Sequence, residues 1–249
     1  MKAMILAAGL GTRLRPLTND RPKALVMVAG RTLLEIALCR LRSFGVREVI
    51  VNAHHHASMI ADYLKANGFG MRIEISCEEE LLDTGGGLKK AAQFFLGPGS
   101  SPLDPFILHN VDVLSTIDLR GMMSLHAEQH ALATLAVQQR ITSRYLLFDE
   151  QACLCGRRNG TDGENEFVRL AAQTQPLAFS GIHVLSPRIF EKIEEEGAFS
   201  IIDAYLHLAA QDEKIVAFRA DESYWLDLGR PEKILQAEQD MASGKYSEA

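Results

Sequence analysis

Short apolar runs alternate with longer segments of helical periodicity through the first half of this 249-residue chain, and this alternation constrains the fold most strongly. Met4–Ala8 is an unbroken apolar run, as expected for a strand buried on both faces. Thr32–Phe44 instead carries its leucines at helical spacing and is followed by Gly45, a residue that commonly ends a helix. The whole series predicts strands at Met4–Ala8, Val46–Ala53, Met71–Ser76 and Pro105–Val113, and helices at Thr32–Phe44, Ala57–Ala66 and Gly87–Phe95.

A series of this kind predicts an α/β fold, with a Rossmann-like, mixed but mostly parallel sheet and helices on both faces. Between about residues 140 and 176 the pattern changes to short strand-like pieces, Tyr145–Phe148 and Phe167–Ala171, around a polar stretch. We interpret this region as a small β-rich lid on the main sheet, within a single domain over residues 1–249. The chain then returns to a strand at Leu177–Leu185, helices at Pro187–Glu195 and Ile201–Gln211, a strand at Lys214–Ala220 and a helix from Pro231.

The composition argues against several classes of protein. The 26 Lys and Arg residues against 32 Asp and Glu give a net charge of -6, the wrong sign for a protein that coats nucleic acid. No run approaches the roughly 20 apolar residues that span a bilayer. The four cysteines show no paired spacing, so neither a disulfide framework nor a zinc site is predicted. We therefore expect a cytoplasmic protein without a nucleic-acid or membrane partner.

The segment Gly9–Thr18, with the sequence GLGTRLRPLT, directly follows the first predicted strand. Its glycines let the backbone approach a ligand, and free N–H groups in such a turn can bind phosphate oxygens. A dinucleotide-binding fingerprint would need a third glycine where Leu14 stands, and a Walker A loop would need Gly-Lys-Ser/Thr, which the chain lacks. The alternative is a tight strand-to-helix turn with glycines for packing alone.

Two cations belong to this loop. Arg13 and Lys23 lie on either side of Pro16 and Pro22, whose rings restrict the backbone. A guanidinium can hold two phosphate oxygens at once, whereas an ammonium acts as a mobile point charge. The pair therefore suits a triphosphate.

Two distant aspartates are candidate metal ligands. Asp112 ends an apolar strand, where a carboxylate can meet Mg²⁺ or, alternatively, cap the next helix. Asp227 lies in the apolar, aromatic segment Tyr224–Gly229. An unpaired charge in such surroundings is costly, so a metal or a cationic partner is expected.

The run Gly9–Thr18, continued by Pro22 and Lys23, resembles the signature of the nucleoside-diphosphate-sugar pyrophosphorylases, also called sugar-1-phosphate nucleotidylyltransferases. The resemblance covers essentially the whole chain and is strongest to short members described as mannose-1-phosphate guanylyltransferases or N-acetylmuramate-1-phosphate uridylyltransferases. It implies an enzyme that transfers a nucleoside monophosphate from a nucleoside triphosphate, GTP or UTP, to a sugar-1-phosphate and releases pyrophosphate. The implied cofactor is Mg²⁺.

The resemblance also implies roles for single residues. Arg13 would hold the β- and γ-phosphates, and Lys23 would contact the α-phosphate and the incoming sugar phosphate. Asp112 and Asp227 match the family's two metal ligands, although relatives often have Gly or Ser where Val111 stands. The implied nucleotide-binding residues are Leu6, Ala7, Ala8, Gly9, Gly11, Thr12, Arg13, Lys23, Asp83, Thr84, Gly85 and Gly86, and the implied sugar-binding residues are Asn110, Ser180 and Gly181.

A second glycine-rich run, Asp83–Gly87, follows the third predicted strand and enters a helix. Its glycines would let a flat base or ribose lie against the backbone, and a flexible helix start is the alternative. We expect the preceding acidic run, Glu78–Glu80, to be a solvated face. The Glu-Lys-Pro motif of longer relatives has no counterpart here, and Glu166 and Arg169 are the nearest candidates to replace it.

Because a sugar phosphate is already an anion at neutral pH, this chemistry needs positioning and charge neutralisation rather than a general base. Two other functions share parts of the pattern. One is a nucleotidyltransferase acting on another phosphate, such as phosphocholine, and the other is a regulatory protein that binds nucleotide sugars without chemistry. A monomer or a small homo-oligomer is expected.

Overall fold

The computed structural model describes residues 1–97, 99, 101 and 103–247. Its strands in chain order are β1 (Lys2–Leu6), β2 (Met27–Val28), β3 (Arg31–Thr32), β4 (Glu48–Ala53), β5 (Arg72–Cys77), β6 (Phe106–Asn110), β7 (Val113–Ser115), β8 (Ala133–Gln138), β9 (Arg144–Phe148), β10 (Leu154–Asn159), β11 (Asn165–Phe167), β12 (Gln175–Leu185), β13 (Ile215–Arg219) and β14 (Trp225–Asp227). Its α-helices are α1 (Leu33–Ser43), α2 (Ala57–Ala66), α3 (Asp83–Lys90), α4 (Ala92–Leu96), α5 (Leu119–Gln129), α6 (Ile189–Lys192), α7 (Ile201–Ala210) and α8 (Pro231–Ala242), and single 3₁₀ turns lie at Thr12–Leu14 and Lys23–Leu25.

Most strands in the described part of the chain join one mixed sheet. Strands β5, β4, β1 and β6 lie side by side and run parallel. Strand β12 pairs antiparallel with β6, and beyond it one branch continues through β8 to β13 and another through β9 and β10 to β11. The predicted Rossmann-like mixed sheet is confirmed.

Side chains of β1 alternate between two buried clusters, because successive residues of a strand point to opposite faces. Ala3 and Ile5 pack into the cluster that contains the apolar face of α1. Met4 and Leu6 pack into the cluster that contains residues of α3 and α7. Helices therefore cover both faces of the sheet, and the carboxyl ends of the parallel strands are free to hold loops.

Several predicted elements have different bounds in the structure, and the helix predicted at Pro187–Glu195 is shortened to α6 at Ile189–Lys192. The predicted strand at Pro105–Val113 is two strands, β6 and β7, separated by a turn at Val111 and Asp112. The predicted helix at Gly87–Phe95 begins earlier, at Asp83, and is interrupted by a turn at Ala91 between α3 and α4. The turn at Val111 and Asp112 and the start of α3 at Asp83 line a cavity of the candidate site, whereas Ala91 packs in the core.

The predicted β-rich lid corresponds to β9, β10 and β11, which form an antiparallel extension of the sheet. The strand expected at Phe167–Ala171 is wrong beyond its first residue, since β11 occupies Asn165–Phe167. Strand β10 was not predicted, because its arginines and its terminal Asn159 obscure the apolar alternation.

No helix among the described residues is both long enough and apolar enough to cross a bilayer. All four cysteines are free thiols. Burial raises the pKa of the Cys155 thiol to about 11, so this group is protonated at neutral pH. The cysteines thus offer neither a disulfide nor a reactive thiolate at Cys155.

Candidate active site

The first glycine loop begins where β1 ends and lies beside the end of β4. Leu6, Ala7 and Ala8 are buried, and Gly9 is exposed. The Ala7 N–H donates to Asn52 Oδ1 at 2.7 Å, because Asn52 is the β4 residue that pairs with Leu6 in the parallel ladder. This bond fixes the first peptide group beyond β1.

Gly11 turns the loop back on itself with φ 63°, a left-handed conformation that favours glycine. A Cβ at this position would lie 3.1 Å from both Lys23 Cβ and Thr18 Cγ2. Thr18 Oγ1 donates to the Gly11 carbonyl at 2.9 Å. These contacts place Lys23 against the glycine turn, while Thr12 and Arg13 start an exposed 3₁₀ turn.

Lys23 forms an ion pair with Asp112 at the carboxyl ends of two parallel neighbours, β1 and β6. Only 12% of the lysine side chain and 17% of the aspartate side chain are exposed. Charges this far from water need an opposite charge, and each side chain supplies it for the other.

Asp227 comes from the far end of the sequence yet lies beside Asp112. Strand β14 pairs antiparallel with β7, which places Asp227 opposite Val113. The Leu228 N–H then donates to the Asp112 carbonyl at 2.8 Å. Both carboxylates line one cavity, so the two predicted metal ligands are brought together.

Val111 is accommodated by burial. Its side chain is 5% exposed and packs into the core cluster beneath α1. Its N–H donates to the Leu6 carbonyl at 3.1 Å. The bulky residue therefore anchors the turn that carries Asp112.

Arg13 reaches across to the segment after β14. A Cβ on Gly229 would lie 2.9 Å from Arg13 Nη2 and 2.6 Å from Asp227 Oδ1. The Gly229 N–H also donates to Asp227 Oδ1 at 2.6 Å. The guanidinium and this carboxylate thus contact the same backbone, and both line the cavity that contains Asp112.

Glu78 is 5% exposed and connects the two glycine-rich loops. Its Oε1 accepts from Asn52 Nδ2 at 2.7 Å, and its Oε2 accepts from the Leu82 N–H at 3.1 Å. Together with the bond from Ala7, these form a continuous hydrogen-bonded chain from one loop to the other. The expectation that Glu78–Glu80 form a solvated face is wrong for Glu78, because buried donors surround its carboxylate.

Asp83 and Thr84 start α3 and line a cavity, whereas Gly85 and Gly86 are buried and are not among the described residues that line it. A Cβ on Gly85 would lie 2.2 Å from Phe199 Cε2, and the Gly85 N–H donates to the Phe199 carbonyl at 2.9 Å. Close packing against the segment before α7 explains why glycine is needed here.

Two cavities meet at Asn110 and Asp112, which line both. The smaller, of about 210 Å³, is lined by the start of the first loop and by Lys23. The larger, of about 620 Å³, is lined by Arg13, Asp227 and residues of β9, β10 and β12. The volume of the larger cavity falls within the range of small-molecule sites.

Strand β12 is bulged at Ser180 and Gly181, where its pairing with β8 shifts. Gly181 has φ 75°, and a Cβ there would lie 2.8 Å from Val113 Cγ2 and 2.9 Å from Asn110 Nδ2. Both bulge residues line the larger cavity. Ser180 Oγ is buried and has no hydrogen-bond partner among the described residues, so a polar ligand atom could satisfy it.

Arg140 and Trp225 were not predicted as site residues. The guanidinium carbon of Arg140 lies 3.6 Å from the centroid of the Trp225 ring. Arg140 Nη2 donates to the Phe179 carbonyl at 2.6 Å, and Trp225 Nε1 donates to the Ser180 carbonyl at 2.8 Å. Burial lowers the pKa of the Arg140 guanidinium and the Asp227 carboxylate opposes that shift, but an arginine stays charged at neutral pH.

Glu166 and Arg169 are not among the described residues that line the larger cavity. Exposed Glu166 pairs with Arg157, and Arg169 pairs with Asp149. The cavity wall contributed by the lid instead carries Arg157, which also pairs with Asp203 on α7 at 2.8 Å. The missing Glu-Lys-Pro motif is therefore not replaced by either predicted candidate.

The paired carboxylates fit a divalent cation with oxygen ligands. In the described ranges, no group of three or more His, Cys, Asp or Glu side chains is arranged to hold a metal, so Asp112 and Asp227 alone do not form a closed site. Mg²⁺ commonly binds through one or two carboxylates, completed by substrate phosphates and water.

Some of the missed residues carried a sequence signal. Asn52 is a polar residue in the otherwise apolar buried run Val49–Ala53, and Trp225 is the chain's single tryptophan, two residues before Asp227. Glu78 and Arg140 carried none, because one glutamate of an acidic run and one arginine in a loop look the same whether buried or exposed.

Comparison with known proteins identifies the family. Residues 2–147 match the nucleotidyl transferase family model. The chain is 36% identical over 249 residues to N-acetylmuramate alpha-1-phosphate uridylyltransferase of Caulobacter vibrioides, with 96% of each chain covered. It is 29% identical to mannose-1-phosphate guanylyltransferase of Mycobacterium tuberculosis, covering 97% of this chain and 65% of that one.

A solved structure of UDP-glucose pyrophosphorylase complexed with UDP-glucose shares the fold, with a TM-score of 0.77 at 18% identity and 98% coverage of both chains. The match over more than half of the chain and the full-length relative above 30% identity show that this protein is a member of the nucleotidyl transferase family of enzymes.

Proposed function

We propose that this enzyme transfers UMP from UTP to N-acetylmuramate α-1-phosphate and releases pyrophosphate. The observation that carries the reaction type is the meeting of Lys23, Arg13, Asp112 and Asp227 at the junction of two cavities. The choice of substrates is supported by sequence identity, which is 36% to the Caulobacter uridylyltransferase and 29% to the mycobacterial guanylyltransferase. GTP with mannose-1-phosphate is the second candidate, since the guanylyltransferase aligns with 97% of this chain.

We assign the smaller cavity to the nucleoside and the larger one to the sugar. Leu6–Gly9, Lys23, Asp83 and Thr84 of the predicted nucleotide-binding set line the smaller cavity, which supports this assignment, whereas Gly11 and Thr12 are not among its described lining residues. Ser180 and Gly181 line the larger cavity. Asn110 and Asp112 line both, so the reacting phosphates would lie beside them.

The proposed reaction is an in-line displacement at the α-phosphorus. A sugar-phosphate oxygen forms the new P–O bond while the bond to the β-phosphate oxygen breaks, and pyrophosphate leaves with the electron pair. Lys23 holds the α-phosphate and the nucleophile together, and Arg13 neutralises charge on the leaving pyrophosphate. Mg²⁺, when held by Asp112 and Asp227, would supply further charge neutralisation. No proton has to be removed from the nucleophile.

In this structure the Lys23 ammonium and the Asp112 carboxylate pair with each other. Their two charges are the groups that the phosphate and the metal need, so substrate binding would exchange one ion pair for two new contacts. The ion pair holds the ammonium at the reaction centre before the phosphates arrive, which reduces the reorganisation left for the reaction.

We further propose that the chain acts in the cytoplasm as one nucleotidyltransferase domain with a sugar-side lid. The free thiols of all four cysteines fit a reducing compartment. Residues of a single chain line both cavities, so a monomer or a small homo-oligomer would suffice.

A matrix of the four nucleoside triphosphates against N-acetylmuramate, N-acetylglucosamine, mannose and glucose 1-phosphates, with phosphocholine added, tests the proposal by pyrophosphate release. The highest kcat/KM is expected for UTP with N-acetylmuramate α-1-phosphate, and only with Mg²⁺ present. A higher value for GTP with mannose-1-phosphate would establish the second candidate. Nucleotide binding without pyrophosphate release from any pair would indicate a regulatory protein.

The metal assignment has its own test. Asp227→Asn should raise the Mg²⁺ concentration for half-maximal rate by about tenfold or more, since even indirect changes to metal ligands weaken sites by that order. Calorimetric titration of Mn²⁺ into the protein with UTP bound should show the same loss of affinity. An unchanged metal dependence would remove Asp227 from the ligand set.

A further inference from the structure

We propose that Arg140, held flat on the Trp225 ring, binds a carboxylate carried by the sugar and so selects an acidic sugar phosphate. The inference rests on the proposed function only for the position of the reacting phosphate. It assigns a specificity role to a residue outside the sequence signature.

The Arg140 guanidinium has unused hydrogen-bonding capacity. Among the described residues, one of its five N–H donors has a partner, in the bond from Nη2 to the Phe179 carbonyl. Its Nε–H is buried and has no partner among the described residues. The contact of the guanidinium carbon with the Trp225 ring, at 3.6 Å from the centroid, restricts the group without using any donor. A planar, oriented guanidinium with free donors is suited to bidentate binding of a carboxylate.

The other cations of the larger cavity have different surroundings. Arg157 is paired with both Asp203 and Glu166, so its charge is already neutralised. Arg144 is exposed to solvent, which weakens its attraction for any anion. Arg140 is the partly buried arginine of this wall that forms no ion pair among the described residues, although the Asp227 carboxylate lies near enough to favour its charged form.

The position of Arg140 separates it from the reacting phosphates. It lines the larger cavity, and it is not among the described residues of the smaller one. Trp225 and Asp227 lie two residues apart on β14, so their side chains share a face and are about 7 Å apart along the strand. With the sugar phosphate beside Asp227, the Trp225 platform lies one sugar ring further along the cavity.

A second negative charge on the acceptor also needs a specific cation. The described lining of the cavity carries four arginines and three aspartates, and Arg157 is already paired with Asp203, so a carboxylate that enters here still needs a cation of its own. N-acetylmuramate differs from N-acetylglucosamine only by a lactyl ether that bears such a carboxylate. Arg140 would therefore distinguish the two 1-phosphates.

The test compares N-acetylmuramate α-1-phosphate with N-acetylglucosamine α-1-phosphate in Arg140→Met and Arg140→Lys, with UTP saturating. Methionine keeps an unbranched apolar side chain beside Trp225 and removes the charge. Lysine keeps the positive charge but lacks the planar guanidinium with its two parallel donors. Arg140→Met should raise KM for the muramate substrate about tenfold to a hundredfold, the loss expected for a charged hydrogen bond, with kcat within about twofold. KM for N-acetylglucosamine α-1-phosphate should stay unchanged, and Arg140→Lys should fall between wild type and Arg140→Met.

The matched control is Arg158→Met, because Arg158 also lies over an aromatic ring, that of Tyr145 at 5.0 Å, and is not among the described residues that line the larger cavity. It should alter neither KM. Equal losses for both sugars in Arg140→Met would overturn the inference, since Arg140 would then bind the phosphate they share. Unchanged values for both would also overturn it and leave the stacking with a structural role only.

The inference and the proposed function fail in different ways. If the wild-type enzyme does not use N-acetylmuramate α-1-phosphate, the proposed substrate is wrong. The inference is then tested by comparing KM for glucuronate 1-phosphate with KM for glucose 1-phosphate. A wild-type preference for glucuronate that disappears in Arg140→Met would support the inference, and the absence of such a preference would overturn it.

Discussion

The two sides of the site are built in different ways. The nucleotide side is made of backbone and short side chains at the ends of parallel strands, and the buried bonds of Asn52 and Glu78 hold it in place. The sugar side is made of long side chains on antiparallel strands, with Arg140 on Trp225 and a bulge at Gly181.

This difference separates a common function from a variable one. Every nucleoside triphosphate presents the same phosphates, and a fixed backbone cradle can bind them. Sugars differ in their substituents, and side chains can be exchanged on a fixed sheet without disturbing the cradle. Changes on the nucleotide side should therefore affect all acceptors alike, whereas changes on the sugar side should alter selectivity.

The largest effect is expected where the two sides meet. Lys23→Ala should lower kcat by about 10² to 10³-fold for every acceptor, because a positioned charge at the reacting phosphate is lost. Pyrophosphate release measures the rate, and circular dichroism checks the fold. Arg21→Ala is the control, since the exposed Arg21–Asp20 pair belongs to the same loop. Near-normal turnover in Lys23→Ala would remove this residue from the mechanism.

Asn52→Ala tests the rigidity of the nucleotide side. It leaves the Ala7 N–H and the Oε1 atom of Glu78 without their buried partner, at a cost of about 1–3 kcal/mol for each group. The melting temperature should fall by about 2–4 °C for each kcal/mol lost. Asn67→Ala is the control, because its exposed amide bonds only a local carbonyl. Equal melting temperatures for the two variants would show that the buried chain of bonds does not stabilise the fold.

The same contrast explains how much the sequence predicts. The first loop and Asp112 follow parallel strands, so their meeting at one sheet edge could be predicted. The pairing of Asp227 with Asp112 was implied by the family resemblance alone, because Asp227 lies within an antiparallel strand. Three-dimensional packing decided the rest. Gly85 and Gly86 serve contacts with Phe199 and Gly197, and Arg140 meets Trp225 only in the folded chain. A local sequence pattern does not show which residues distant in the chain will be in contact.

On the sugar side, Gly181→Ala would strain the backbone and bring the new Cβ too close to neighbouring side chains. A positive φ costs roughly 1–2 kcal/mol for a residue with a Cβ, and here the Cβ would also press on Val113 and Asn110. KM for the sugar phosphate should rise more than KM for UTP. Gly160→Ala is the matched control, because Gly160 also has a positive φ but open space around it. Equal losses of stability, with no change in sugar KM, would contradict the role of the bulge.

The smallest expected effect is on the free energy of unfolding at acidic pH, and it comes from His183 in β12. Burial lowers the pKa of His183 to about 3, against an ordinary value of 6.5. Below pH 6.5 the unfolded chain gains this proton and the folded chain does not, so stability is full above pH 6.5 and falls as pH decreases toward 3. The contribution is roughly 1.4 kcal/mol for each pH unit.

Urea unfolding between pH 7 and 5 measures this slope. His183→Gln should reduce it, whereas His55→Gln, at an exposed position, should leave it unchanged. A His183→Gln slope equal to that of the wild type would show that His183 does not couple folding to pH.

The separation of the two sides is tested most directly by measuring KM for UTP and for N-acetylmuramate α-1-phosphate in both Asn52→Ala and Arg140→Met. Asn52→Ala should raise KM for UTP and leave KM for the sugar phosphate unchanged, and Arg140→Met should do the reverse. Parallel changes of both KM values in both variants would contradict the account, because they would show one continuous site rather than two separately built halves.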